Sequence, residues 1–283
     1  MRKMLVAIIL FVTLDSAYLM AAPTEIVITM QNDVYEDYLC LLNGRNPIQV
    51  NDYSGPCSRR DVVEIVLFQQ ALFLGGLSAK FKFVPGNYSL RNRRLLETGL
   101  LLASVDTFWL AEAEQHSDYL LISEPMILNG EYTAGVYTAS TNTKMLAVKN
   151  LQELQQFSAV SSKNWTADWD ALESLKLIKL VDETSWTSQI SLVKRGFIDF
   201  MLAPLNVKFM IQEWELVAVP EIAIALKDSR HFVFSKHHPL GEKALEAANK
   251  GIKLMRQNGT IYKAYSDAQF FYREDFNLRI INP

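Results

Sequence analysis

The chain reads as short β-rich runs alternating with apolar or amphipathic stretches of helical length. Residues 25–30 (EIVITM) predict a first strand. A polar stretch from Gln31 to Cys57 follows, and Asn43-Gly44, Asn46-Pro47 and Ser54-Gly55-Pro56 punctuate it with turns. Ser58 is placed to cap a helix, with Asp61 in its first turn. Val62, Ile65, Val66, Leu72 and Phe73 carry that helix to Gly75-Gly76. It is apolar around most of its circumference, so it should be covered on more than one side. Strands over 81–84, 104–109 and 119–122 and an extended 131–138 follow, with a helix from Ser89 in between. Beyond Gly130 the same alternation resumes. Helices are predicted over 151–157, 166–175, 185–195 and 207–214, and strands over 159–162, 177–181 and 198–203. Residues 221–225 and 231–235 read as extended, and two helices over 240–257 and 260–268 close the chain. In the first of these, Leu245, Ala248, Ile252 and Met255 form one helical stripe. Strands alternating with helices predict an α/β protein with mostly parallel sheets. Two such groups, split near Gly130, predict two lobes.

Composition narrows the class. With 49% hydrophobic and 21% charged residues the chain is globular, neither disordered nor collagen-like. A net charge of −3 lacks the basic footprint of a nucleic-acid binder, so no nucleic-acid partner is expected. Residues 1–22 read as an export signal: Arg2 and Lys3, then an apolar run from Met4 to Leu14, then small residues from Ala17 to Ala22. No other stretch is long and apolar enough to span a bilayer. A periplasmic protein is therefore expected. Export makes a disulfide the preferred reading of Cys40 and Cys57, over two free thiols. The bridge would close a loop of about 17 residues, worth roughly 3 kcal/mol. The cysteines show neither CxxC nor zinc spacing, and the adjacent His237-His238 pair does not converge, so no metal is expected. G-x-S-x-G, H-E-x-x-H and phosphate-loop signatures are missing, and neither an enzyme nor a cofactor is predicted.

Four segments in order carry a resemblance. They are the strand at 25–30, the run from Gly99 through Trp109 to the ISEP of Ile122–Pro125, the helix–strand VKRGFIDFMLA of Val193–Ala203, and the closing segment with Asn258-Gly259-Thr260. Together they resemble the two-lobed, type II periplasmic solute-binding proteins, in their amino-acid-binding (family 3-like) branch. The resemblance implies two lobes with a ligand cleft between them. Residues 23–130 plus 231–283 would form lobe 1 and 131–230 lobe 2. It implies a monomer that captures a small polar or aromatic ligand, anions included, for a membrane transporter or a sensor. The alternatives on the same scaffold are a degenerate, ligandless interaction or sensor module and a small dehydratase-type enzyme. The chain departs from the branch at its charge pair: the place of the carboxylate-binding Arg falls near His116, and that of the ammonium-binding Asp at Pro204.

Candidate ligand-binding residues are Tyr35, Trp109, Lys163, Asn164, Trp165 and Trp186. Trp109 ends a strand and could serve as a stacking platform. Lys163, Asn164 and Trp165 precede a helix start, where backbone N–H groups favour an anion. Trp186 stands at the equivalent place before the next helix, and Tyr35 follows the first strand. Arg59 and Arg60 oppose the dipole of the helix they begin and read as a solvated turn. Asp168, Asp182 and Glu183 are the carboxylates expected near the cleft.

Overall fold

In the computed structural model, residues 24–86, 89–205, 216–271 and 278–282 are described. The export-signal segment and the helix expected over 207–214 lie outside them. The first elements are β1 (Thr24–Met30), α1 (Asn32–Leu42), α2 (Arg60–Leu74), β2 (Ala79–Pro85), α3 (Ser89–Glu97), β3 (Ala103–Trp109), α4 (Leu110–Glu114) and β4 (Leu120–Ile127). Next come β5 (Thr133–Ala139), α5 (Thr143–Leu146), α6 (Leu151–Leu154), β6 (Ser158–Ser161), α7 (Thr166–Ser174), β7 (Lys179–Asp182), α8 (Trp186–Lys194) and β8 (Phe200–Pro204). The chain closes with β9 (Leu216–Ala225), β10 (Arg230–Ser235), α9 (Gly241–Gln257), α10 (Thr260–Asp267) and β11 (Arg279–Ile280).

Strands β1 and β2 pair in parallel, and β10 lies between β3 and β4, antiparallel to both. The second sheet has six strands in the order β11-β9-β5-β8-β6-β7. Both groups are therefore mixed rather than mostly parallel. The antiparallel pairs come where the chain passes between the groups and returns. It leaves along β4 and enters β5, then comes back from β9 into β10. Strand β11 extends the six-stranded sheet alongside β9, although the sequence reading grouped 231–283 with the first.

Helix α2 answers the sequence pattern directly. Every residue from Val62 to Leu72 is buried, including Glu64, Gln69 and Gln70. It is covered by α1, α9, α10 and β3. Gln69 donates to Tyr38 and to the Ile65 carbonyl, and Gln70 to the Pro47 and Val50 carbonyls, so the buried amides are satisfied. The contact with α9 is made through small residues. A Cβ on Gly251 would fall 2.0 Å from the Ala71 carbonyl oxygen, and one on Gly75 would fall 1.8 Å from that of Ala247. Cys40 of α1 and Cys57 form a disulfide, with Cα atoms 6.0 Å apart.

The six-stranded sheet is covered on both faces, which explains why every residue of β6 is buried and why β8 is an apolar run. Phe200 and Leu202 point into the main core with Ala159, and Met201 and Ala203 point the other way with Val160, under Ile190 and Val193 of α8. Asp199, the acidic residue of the VKRGFIDFMLA segment, serves this packing. Its Oδ2 accepts from the Ser158 backbone N–H at 2.8 Å and from the Ser158 hydroxyl at 2.6 Å.

The two crossing segments touch. Gly130 donates to the Leu226 carbonyl, and Leu226 donates to that of Tyr132. Arg256 of α9 secures the first crossing: it pairs with Glu131 at 2.9 Å and donates to the Met126 carbonyl at 2.6 Å. Beside it, buried His231 donates from Nδ1 to the Ser123 carbonyl at 2.6 Å, because a carbonyl only accepts. Desolvation lowers its pKa, so the ring is neutral and Nε2 accepts from the Ser229 hydroxyl. Among the described residues no helix is long and apolar enough to cross a membrane.

Candidate functional site

A cavity of about 680 Å³ lies where the carboxyl ends of β1, β3 and β8 meet the starts of α2, α7 and α8. Ligands of open α/β sheets collect at such a place. Its walls come from the first group of strands (Thr29, Asp106, Trp109, Arg230), from the crossing (Tyr132) and from the second group (Asn164, Trp165, Asp168, Trp186, Pro204).

The floor is an ion network built on Glu64. Arg60 begins α2, and Glu64 follows one turn later on the same face. The Glu64 carboxylate is wholly buried, with four donors around it. Arg60 Nη1 donates at 2.9 Å, the Thr107 N–H at 3.1 Å, the Thr107 hydroxyl at 2.8 Å and the Tyr265 hydroxyl at 3.0 Å. Arg60 also reaches Asp106 Oδ1 at 2.8 Å. Arg230 donates from Nε to the Thr107 hydroxyl at 2.8 Å and from Nη2 to the Thr107 carbonyl. Its guanidinium lies 4.7 Å over the Trp109 ring. Burial works against the charge of Arg60, but Glu64 and Asp106 hold its pKa well above the usual value. Burial and the neighbouring Arg60 pull Arg230 down. Burial would raise Asp106, yet Arg60 and Arg230 prevail and lower it.

Above the floor the walls are aromatic. Tyr132 stacks on Phe270 with centroids 4.4 Å apart and planes within 10°. Trp165 and Trp186 stand 5.8 Å apart at the starts of α7 and α8. Ser185 caps α8 by accepting from the Ser188 N–H, which fixes where Trp186 leaves the helix. Asp168, in the first turn of α7, lines the same cavity. Desolvation pushes its carboxyl up to about 6, against the opposing pull of Arg230.

Of the residues singled out in the sequence, Trp109, Asn164, Trp165 and Trp186 line the cavity together. Tyr35 does not: it lies on α1 with its ring 5.7 Å from Phe83. Lys163 also lies outside the lining, with its ammonium 5.2 Å over Trp169 and its N–H donated to Asp182. Of the three carboxylates expected near the cleft only Asp168 lines it. His116 follows α4 and meets Tyr119, so it brings nothing to the cavity. Among the described residues, the guanidiniums there are those of Arg60, Arg93 and Arg230. Sequence reasoning took Arg60 for a solvated turn and passed over Arg230. The available signal was a cation at the positive end of a helix followed by an acid four residues on.

The fold is that of the type II periplasmic binding proteins. Substrate-binding domain 2 of Lactococcus lactis GlnP, in its open conformation, is similar at a TM-score of 0.55 and 14% identity. The match covers 87% of this chain and 95% of that one. The periplasmic VFT2 domain of Bordetella pertussis BvgS is similar at a TM-score of 0.54 and 11% identity, over 88% of this chain and 93% of that one. The amino acid ABC transporter substrate-binding protein AbpA of Streptococcus pneumoniae, bound to L-arginine, is similar at 0.51 and 14%, over 88% and 97%. Compared by sequence, the chain matches no protein-family model and no curated protein.

Proposed function

We propose that this protein is an exported, periplasmic solute-binding protein that captures a small organic ligand between two lobes and presents it to a membrane transporter or a sensor. One observation carries the reading: a single cavity of about 680 Å³ takes its walls from both groups of strands and from the crossing between them. That volume suits a small molecule. Ligand seated there touches both halves, so its binding would favour closure about the two crossing segments. The similar solved structures include an amino acid ABC transporter substrate-binding protein, which supports a transporter partner, and a periplasmic VFT2 domain. The lobes would follow the sheets, with β1–β4, β10, α9 and α10 on one side and β5–β9 on the other. No step of bond making or breaking is assigned to the cleft.

The test is a thermal-shift screen with amino acids, short peptides, dicarboxylates, aromatic acids, amines and sugars. Ligand at 100 times its Kd stabilises by about 2.7 kcal/mol. A shift abolished by Trp165→Ala is expected. A flat screen on folded protein would favour the ligandless interaction module instead. The closed Arg60–Glu64–Asp106 network, which needs no outside ion, fits that second reading.

A further inference from the structure

Among the described residues, the cavity's charges sort into those that are matched and one, Asp168, that has no side-chain partner. Arg60 is shared between Glu64 and Asp106, and Arg93 is paired with Glu112. Arg230 is held on Thr107 by two of its nitrogens, stacks on Trp109 and lies 3.9 Å from Asp106. Asp168 receives no hydrogen bond from any other described side chain. Arg230 acts on it only as a nearby charge. Among the described residues the lining sets three arginines against four carboxylates, Asp61, Asp106, Glu112 and Asp168, with Glu64 buried behind them. An incoming carboxylate would meet guanidiniums already bonded to Glu64, Asp106, Glu112 and Thr107, and would lie against the Asp106 carboxylate. An incoming cation would meet an anion with no side-chain partner in a cavity that Trp109, Trp165 and Trp186 also line, and indole rings attract positive charge.

Resting on the reading of this cavity as a ligand site, we propose that its ligand is an organic cation with a flat or extended apolar body and no carboxylate: an amine or a guanidine. Its charge sits against Asp168 and its body lies among Trp109, Trp165 and Trp186. Desolvation of this carboxyl agrees with that, since a bound cation would supply the direct partner that Arg230, acting only as a nearby charge, does not.

Matched probes test it on the full chain by calorimetry. Tryptamine, tryptophan and indole-3-acetate share one ring and differ in charge; agmatine and arginine form a second pair. The amines are expected to bind at least tenfold more tightly than their carboxylate-bearing partners. Asp168→Asn is expected to weaken the favoured amine at least tenfold while the free variant keeps its circular-dichroism spectrum. Tryptophan, arginine or indole-3-acetate binding as tightly as the amines would overturn this inference and leave the capture reading standing. So would a sugar or dicarboxylate binding while all five probes fail, or amine binding unchanged in a folded Asp168→Asn protein. Silence from the probes and from the wider panel would overturn both. Should Asp168→Asn not fold, the probe comparison on the unaltered protein decides alone.

Discussion

Arg230 and Trp109 are partners across the β10–β3 ladder, and the guanidinium of one lies 4.7 Å over the indole of the other. Arg230 is the first residue of β10, just after the chain has crossed back from the second sheet, and Trp109 is the last of β3. The contact thus ties the end of the crossing to the wall of the cavity. A planar, delocalised cation suits it: two nitrogens hold Thr107 while the flat face rests on the ring.

Arg230→Lys keeps the charge and loses the plane. An ammonium cannot hold the hydroxyl and carbonyl of Thr107 while covering the indole. A loss of about 2–4 kcal/mol is expected, from charged hydrogen bonds and the cation–π contact together. Urea unfolding followed by tryptophan fluorescence measures it. A variant as stable as the parent would contradict this account of the contact.

Glu64 supports the floor of the site. Glu64→Ala would leave Arg60, the Thr107 N–H and the Tyr265 hydroxyl without their buried acceptor. Breaking a buried pair by removing one partner costs about 3–5 kcal/mol. Glu64→Gln, which retains one acceptor oxygen, should lose less. Calorimetric unfolding of both variants would show whether that order holds.

The close approach of α2 and α9 depends on the missing side chain of Gly251. A methyl group there would meet the Ala71 backbone, which cannot rotate away. Gly251→Ala should destabilise by at least about 1–3 kcal/mol, although alanine is the better helix former. Lys250→Ala, at the exposed neighbouring position, should stay within about 0.5 kcal/mol. Equal denaturation midpoints for the two variants would contradict the tight crossing.

Asp168 makes stability depend on pH in a definite direction. Its carboxyl titrates near 6 in the fold and at 3.8 ordinarily, so between those values the folded chain binds more proton than the unfolded one. Stability from this group therefore falls as pH rises from 4 to 6 and stays lower above. Tyr132 and Arg230 are the charged or titratable groups coupled to it, and Arg230 moderates the shift. Asp168→Asn should raise the stability of ligand-free protein at pH 7.5 by about 1–3 kcal/mol and leave it unchanged at pH 4. Urea titrations of both proteins at the two pH values measure the difference.

Much of this arrangement was legible in the chain. The alternation of short strands and helices declared the α/β class, and a helix apolar around most of its circumference declared that α2 would be covered on more than one side. Both follow from local periodicity, which says which face of an element turns inward. Four of the aromatic and polar cavity residues were legible for a related reason. Trp109, Asn164, Trp165 and Trp186 stand at strand ends and helix starts, and an open α/β sheet brings those ends together. Tyr35 and Lys163 stood at similar places and turned to Phe83 and Trp169, because each found an aromatic neighbour outside the cleft. Periodicity does not say which residues meet across elements. The tertiary structure decided that Arg60, Glu64, Asp106, Thr107, Arg230 and Tyr265 would form one network, from two helices and two strands far apart in the chain. It also decided that Asp168 would be left over. Charges are matched by position in space, and in this chain only folding brings those side chains within reach of one another.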